Sequence, residues 1–280
     1  MRKTYCIATA LMICAAMFSS CRNNGSSKKA DSGTAPGNEV ITATEAVLTD
    51  DVLGMVDELV NNYLEATKTI NNDQLMASSI KGRASLVKPD YFLELSRTKD
   101  LLTKNQKINA ATILISERPL RVAYGMPVQE VDATIARLLA EINYPIDEDE
   151  LKDHRPLSEK IKEEYDRCKE RGELGYFWQF QLAMQNSLLY LYSRNPELYT
   201  SDITEEQYRC VFKRIGICLK AARALKEYDP ELAKALEIMK IGEVHDDREA
   251  EELFGTKERA IKTFNSRKDI YEQRRNALLD

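Results

Sequence analysis

Apolar residues recur along most of the chain with the 3.6-residue period of an amphipathic α-helix. Residues 51–70 show this period clearly, and Thr49 or Asp50 can cap the start of the helix. A second helix is predicted over 127–142, which begins with a proline, a residue favoured in the first helical turn. The clearest pattern begins at Thr204, where two acidic residues in the first turn suit the helix dipole.

Four further segments have weaker helical patterns. They are Asp90–Lys104, Leu157–Arg171, Glu231–Met239 and Thr256–Leu279. Only residues 111–124, ATILISERPLRVAY, combine β-branched residues with partial alternation, so a short β-hairpin is the alternative to a helix there. The pattern as a whole predicts an all-α fold.

One segment lacks a polar face. Residues 175–193 have apolar or aromatic side chains nearly all round the helical wheel, which predicts a central helix covered by several neighbours. By contrast, residues 145–156 are polar, acidic and bounded by prolines. They are the best candidate for a boundary within a helical domain that extends over 47–280.

Two short motifs raise the question of an internal repeat. NPEL at Asn195 and DPEL at Asp229 are 34 residues apart, a spacing similar to that of tetratricopeptide repeats. No third copy follows, and the stretch between them does not divide into two helices. The sequence therefore favours an irregular multi-helix bundle, with a tetratricopeptide-like solenoid of helical hairpins as the alternative.

Residues 1–20 divide as a secretory signal does. Arg2 and Lys3 precede an uncharged apolar run over 6–18, and two serines then lead to Cys21. A run of thirteen residues is too short to cross a bilayer, which needs about 20. The pattern predicts that the segment directs export.

The stretch MFSSC, residues 17–21, resembles the lipobox of bacterial lipoproteins, in which a small residue precedes a cysteine that is acylated. Ser20 matches this pattern, while Phe18 stands where leucine is common. The resemblance implies that Cys21 carries the lipid and becomes the first residue of the mature chain. The signal of a soluble secreted protein is the alternative.

Residues 21–46 follow as a polar stretch rich in Gly, Ser, Asn and Pro. Such a composition cannot bury enough apolar surface to offset its ordering entropy, so we expect a disordered tether. A flexible chain of this length would hold the body about 25 to 30 Å from its anchor. Arg22 replaces the Asp that favours inner-membrane retention, so the resemblance implies an outer-membrane lipoprotein facing the periplasm.

Charge and cysteine content exclude some functions. The net charge is −5, and removal of Arg2 and Lys3 with the signal would bring it to −7. This acidity argues against nucleic acid as a partner, because such binding needs a basic stripe. The mature chain has three further cysteines, without metal-site spacing.

A disulfide among these cysteines is restricted by their spacing. Cys210 and Cys218 would lie about 12 Å apart on one helix, beyond disulfide reach. Cys168 could pair with either of them. Three small buried thiols are the favoured interpretation.

No pattern for catalysis or metal binding is complete. The chain has only two histidines, His154 and His245, so the HDD sequence at His245 lacks the further ligands of a metal-dependent phosphohydrolase. Residues 147–153 are acidic but lack the glycine and the final glutamate of a calcium loop. There is no G-x-S-x-G and no phosphate-binding loop. We therefore predict no cofactor, no metal and no catalytic residue.

The aromatic side chains of residues 175–193 allow two interpretations, a binding groove or core packing. Trp178 and Tyr192 lie off the face shared by Phe177 and Phe180, so they could line a groove, although core packing is favoured. The function predicted from the sequence is a non-catalytic scaffold or accessory subunit that binds an envelope protein. The alternatives are a small-ligand or glycan-binding lipoprotein that uses Trp178 and Tyr192, and a hydrolase of envelope polymers.

Overall fold

The computed structural model describes residues 48–68, 72–81, 87–142, 156–242 and 247–280. These residues form twelve α-helices without any β-strand, which confirms the all-α class. The helices are α1 (Asp50–Lys68), α2 (Asn72–Ile80), α3 (Lys104–Ala123), α4 (Gln129–Glu141), α5 (Leu157–Glu170), α6 (Leu174–Arg194), α7 (Pro196–Tyr199), α8 (Glu205–Leu225), α9 (Pro230–Met239), α10 (Asp247–Phe254), α11 (Lys257–Ser266) and α12 (Lys268–Ala277). The predicted signal, Cys21 and the tether lie outside the described residues.

Helix starts follow the sequence closely where a capping residue is present. The Thr204 hydroxyl accepts from the Gln207 N–H at 3.2 Å, and the Gln207 amide oxygen accepts from the Thr204 N–H at 3.0 Å. This reciprocal pair satisfies two backbone donors at the start of α8. Asp229 caps α9 in a similar way, accepting from the N–H groups of Glu231 and Leu232 at 2.9 and 3.1 Å.

The two similar motifs are helix starts rather than repeats. Pro196 and Pro230 are the first residues of α7 and α9, which have 4 and 10 residues. In a solenoid each unit contacts only its neighbours. Here α6 packs against α3, α11 and α12 as well as α5, α8 and α9. The architecture is therefore an irregular bundle.

Helix α6 is the centre of the bundle, as predicted, and it connects two apolar clusters. We call them the α3 cluster and the α1 cluster. The α3 cluster contains residues of α2, α3, α4, α7, α10, α11 and α12, together with the second half of α6 and the start of α8. The α1 cluster contains residues of α1, α5 and α9, together with the first half of α6 and the second half of α8.

These shared contacts fix the directions of three long helices. The second half of α6 packs with the start of α8 in the α3 cluster, and the first half of α6 packs with the second half of α8 in the α1 cluster. The two helices are therefore antiparallel. Helix α1 runs in the direction of α6, because Asp57 pairs with Lys169 just before α6 and Tyr63 donates to Gln181 at 2.7 Å. Helix α1 is therefore antiparallel to α8, and Leu48 lies at the end of the body where α8 ends.

The candidate boundary at 145–156 lies outside the described residues except for Pro156. Helices on either side of it nevertheless pack together. Helix α1 packs against α5 and α8, and α3 packs against α6. The two halves of the chain thus share both apolar clusters.

The hairpin considered for residues 111–124 is wrong, because α3 covers almost all of them. Thirteen of the helix's residues are buried, so no polar face reveals the helical period in the sequence. The β-branched residues that suggested strands fill the core instead. Thr103 starts the helix with a reciprocal cap to Gln106, and Pro119 lies within it.

Two other segments differ from their predicted form. Residues 90–104 contain only a short 3₁₀-helix, Leu95–Thr98, because tertiary hydrogen bonds hold the backbone before it in an extended form. The helix predicted over 256–279 is interrupted at Arg267, whose backbone has φ −111° and ψ 17°. Both resulting helices, α11 and α12, pack against α6.

Candidate functional site

Trp178 and Tyr192 are both fully buried, which confirms the favoured interpretation of core packing and shows that the alternative, a groove lined by these two residues, is wrong. The Trp178 ring makes edge contacts with the rings of Phe177 and Tyr63, at centroid distances of 5.0 and 6.1 Å. Tyr192 stacks on Phe264 at 5.6 Å. Because neighbours surround α6, side chains off its main apolar face are buried as well. The glycan-binding alternative thereby loses both of its residues.

The three cysteines are free thiols, as favoured from the sequence. Cys168 and Cys218 are buried, and Cys210 is half-buried. Burial raises the pKa of the Cys168 thiol and of the Cys218 thiol well above the usual range. Since the thiolate is the nucleophile, these surroundings favour a packing role for both residues.

Cys168 is also the partner of a buried acid on α5. Its thiol donates to Glu164 Oε1 at 3.1 Å, while Oε2 has no hydrogen-bond partner among the described residues. Burial raises the pKa of Glu164 to about 8, although the neighbouring thiol and the Arg167 charge act against that rise. At neutral pH this carboxyl is therefore mainly protonated.

The described part of the chain contains no group of three or more His, Cys, Asp or Glu residues placed to hold a metal ion. His154, His245 and the acidic residues 147–153 lie outside it. None of the helices in the described ranges combines the length and the apolar composition needed to cross a bilayer.

A shallow groove of about 640 Å³ lies between α1 and α5. Most of its lining residues are polar or charged, although carbon atoms make up the larger part of the lining surface. The residues come from both helices: Asn61, Asn62, Leu64, Glu65, Lys68, Ser158, Glu159, Lys162 and Glu163. Glu65 is 66% exposed and pairs with Lys68, so its carboxylate is well solvated. Such a lining can form hydrogen bonds with a polar molecule, but it lacks the shielded carboxyl that acid catalysis requires.

Glu117 is the centre of a buried network in the α3 cluster. Its carboxylate accepts from the Leu93 N–H at 2.9 and 3.0 Å and from Arg121 Nη2 at 2.9 Å. Arg275 of α12 donates to it as well. Arg121 also donates to the Leu93 carbonyl at 2.8 Å. One fully buried acid thus holds two arginines and an extended backbone segment in place.

The same network continues towards α6. Tyr190 donates to the Tyr91 carbonyl at 2.9 Å, and the Arg275 guanidinium lies 4.1 Å from the centre of the Tyr190 ring. Arg194 lies 4.4 Å from that ring and pairs with Glu272 at 2.9 Å. The charged groups of this network pair mainly with each other, so the network connects helices. Arg121 Nε and Arg194 Nε are buried without a hydrogen-bond partner among the described residues.

The exposed face of α8 differs from every surface described above. Four exposed basic residues, Arg209, Lys213, Lys220 and Arg223, lie within a narrow arc of this helix and extend along about 21 Å. We call them the α8 basic stripe. No acidic residue occurs from position 207 to 226, although Glu205, Glu206 and Glu227 flank the stripe at its ends.

The stripe carries a cost in stability. Arg209 and Lys213 are one turn apart, as are Lys220 and Arg223, and like charges at this spacing destabilise a helix by about 0.2 to 0.5 kcal/mol per pair. Arg209, Lys213 and Lys220 form no ion pair with any described residue. By contrast, α1, α4, α5, α10 and α11 each contain an internal ion pair.

Gly216 adds to this cost. It lies in the middle of the stripe, and a Cβ at this position would meet no atom within 4 Å. Glycine inside a helix is about 1 kcal/mol less favourable than alanine. Because a side chain would have room at this position, packing against the described residues does not require the glycine. The stability of the body therefore does not explain the composition of the α8 basic stripe.

The α8 stripe was missed from the sequence because the helix was recognised by its apolar face alone. The signal was present, since the run from 207 to 226 contains six basic residues and no acid in an acidic protein. Comparison with protein families, curated proteins and solved structures finds no match to this chain. The α8 stripe is thus identified by its own geometry and charge.

Proposed function

We propose that the protein is an envelope lipoprotein, anchored through Cys21, whose helical body acts without catalysis as a scaffold or accessory binding subunit. The observation that carries the proposal is the order of segments. A basic start, a short apolar run and Ser-Ser-Cys are followed by a polar stretch up to residue 46, and the first helix begins at Asp50. The proposed location is the outer membrane, with the body in the periplasm.

The chemistry of the body supports binding over catalysis. The strongly shifted acids and thiols, Glu164, Cys168 and Cys218, are buried in helix packing. Two surfaces of the described residues, an open groove lined mainly by polar and charged residues and a basic helix face, are suited to contacts with another polar surface. A body of this kind, held at one membrane, raises its own local concentration towards neighbouring envelope components.

Metabolic labelling with a clickable palmitate analogue tests the anchor. The parent protein should incorporate the label and sediment with membranes unless detergent is added. Cys21→Ser removes the acylated thiol and should abolish the label. Cys210→Ser is the matched control and should keep it. Label retained by Cys21→Ser would refute the anchor.

Crosslinking in intact cells, followed by purification through a C-terminal tag, tests the role as a subunit. One or two envelope proteins should be recovered in amounts close to that of the tagged protein. Recovery of the tagged protein alone, under conditions that capture a known envelope complex, would contradict the subunit role.

A further inference from the structure

We infer that the α8 basic stripe docks on the anionic lipid headgroups of the membrane to which the protein is attached. The inference rests on the proposed anchor for its biological setting. Its physical basis is independent of the anchor: a linear array of exposed cations on a protein whose net charge is negative.

The form of the stripe suits a lipid surface better than a protein partner. Protein interfaces are usually built around buried aromatic and apolar anchors. The apolar side chains beside the stripe, Phe212, Ile215 and Leu219, pack against the two clusters. What the stripe presents is charge along about 21 Å with a glycine at its centre, which allows headgroups to approach the backbone.

The position of the stripe also agrees with attachment to a membrane. Helix α1 is antiparallel to α8, so Leu48, where the N-terminal stretch joins the body, lies at the same end as Arg223. The described body therefore begins beside one end of the stripe. A tether of about 25 to 30 Å would keep the stripe within reach of the bilayer that holds Cys21.

The expected strength of headgroup binding indicates what the stripe contributes to attachment. Each basic residue near an anionic surface changes binding by about fivefold, so a few such residues give only weak attachment by themselves. When the anchor makes the contact intramolecular, the effective concentration rises to the millimolar range. The stripe would then orient the body on the membrane, with the lipid supplying the attachment.

The test is co-sedimentation of the unlipidated chain, residues 22–280, with vesicles. This chain keeps every residue that the structure describes. Vesicles of phosphatidylcholine with about one third phosphatidylglycerol are compared with pure phosphatidylcholine, at low and high salt. The parent should prefer the anionic vesicles, and salt should weaken that preference.

The variant K213E/K220E should lower binding to anionic vesicles by at least about twentyfold, since it removes two cations from the stripe. The control K88E/K99E changes the net charge equally at exposed lysines outside α8 and should alter binding less than about threefold. Circular dichroism melting curves should match the parent for K88E/K99E and should show K213E/K220E to be no less stable than the parent, because all four positions are exposed and the exchange in α8 replaces like-charge pairs by opposite-charge pairs.

Three outcomes would overturn the inference. The parent could show no preference for anionic vesicles, or both variants could lose binding equally, which would indicate a response to net charge alone. In the third, K213E/K220E keeps vesicle binding but loses crosslinking to an acidic protein, which would assign the stripe to that protein. Because the vesicle assay uses the unlipidated chain, the vesicle-binding results do not depend on whether Cys21 is acylated.

Discussion

Glu117 and Glu164 are both buried glutamates in the middle of helices, and their surroundings differ in the number of donors. Glu117 accepts from a backbone N–H and two arginines. Glu164 accepts only from a thiol, and burial raises its pKa to about 8. The first acid organises charged partners from distant helices, whereas the second stays mainly protonated at neutral pH. Burial alone therefore does not decide what a buried acid does; the number of donors does.

Other buried polar side chains have no hydrogen-bond partner among the described residues. Asn186 on α6 is fully buried, and neither atom of its amide has a hydrogen-bond partner among the described residues. The Ser187 hydroxyl and Arg214 Nε are in the same situation. Such groups lose their bonds to water without replacement, which costs about 1 to 3 kcal/mol each.

The largest effect is expected at Glu117. Glu117→Gln leaves Arg121 and Arg275 without their counter-charge and should lower the free energy of unfolding by about 3 to 5 kcal/mol. Urea unfolding at neutral pH measures this loss of stability. Glu130→Gln, at an exposed position, should stay within about 0.5 kcal/mol of the parent. Equal stability of both variants would mean that the Glu117 network contributes nothing.

The contribution of Glu164 to the free energy of unfolding should fall as the pH rises, whereas that of an ion-paired carboxylate rises with pH. The folded protein holds a proton that the unfolded chain releases near pH 4.3, so the contribution of Glu164 to stability is greatest below that pH. This contribution should then fall as the pH rises towards about 8, by up to about 1.4 kcal/mol per pH unit.

Glu164→Gln should flatten this dependence in urea unfolding measured at several pH values, because the amide does not titrate. Glu170→Gln, at an exposed position of the same helix, should keep the parent's slope. Identical slopes in the parent and Glu164→Gln would show that the carboxyl is not held protonated.

Two buried asparagines sharpen the contrast between partnered and unpartnered groups. Asn186→Leu replaces an amide without partners by an apolar side chain of similar shape and should raise the free energy of unfolding by about 1 to 3 kcal/mol. Asn109 donates to the Leu278 carbonyl at 2.8 Å, although its own amide oxygen has no partner among the described residues. Because Asn109→Leu leaves that carbonyl without its donor, it should lower the free energy of unfolding by up to about 1 kcal/mol. Thermal unfolding of both variants measures these opposite changes in stability. If both variants were less stable than the parent, Asn186 would have a hydrogen-bond partner.

The smallest effect is expected at Gly216. Gly216→Ala should raise the free energy of unfolding by up to about 1 kcal/mol, because the added methyl group meets nothing within the chain. Gly175→Ala is the opposite case, since its Cβ would lie 1.6 Å from Asp229 Oδ2 and disturb the cap of α9. If Gly216→Ala destabilised the body in the same denaturation assay, α8 would have an intramolecular reason for its glycine.

Those helices with one apolar face and a capping residue could be predicted from the sequence. Helix α8 shows this best, because Thr204 and Gln207 mark its start and the apolar period continues to Leu225. The central position of α6 was also predictable, from the absence of a polar face. In these cases local signals and packing agree.

The failures occurred where tertiary contacts override local signals. The backbone at Leu93 is held by Glu117 and Arg121, which no local pattern reveals. Helix α3 is so deeply buried that its composition resembles strands. Trp178 was placed at a possible surface because a helical wheel shows one helix alone, without the neighbours that cover it.

The position of α1 has a consequence for the order in which the chain can fold. Its Tyr63 hydrogen-bonds to Gln181, 118 residues later, and its main packing partner is α8. At about 5 to 20 residues per second of synthesis, α1 waits roughly 10 to 30 s before α8 is complete. During synthesis α1, the first described helix to emerge, is therefore among the last to bury its apolar face, and it is the natural segment for a chaperone to hold.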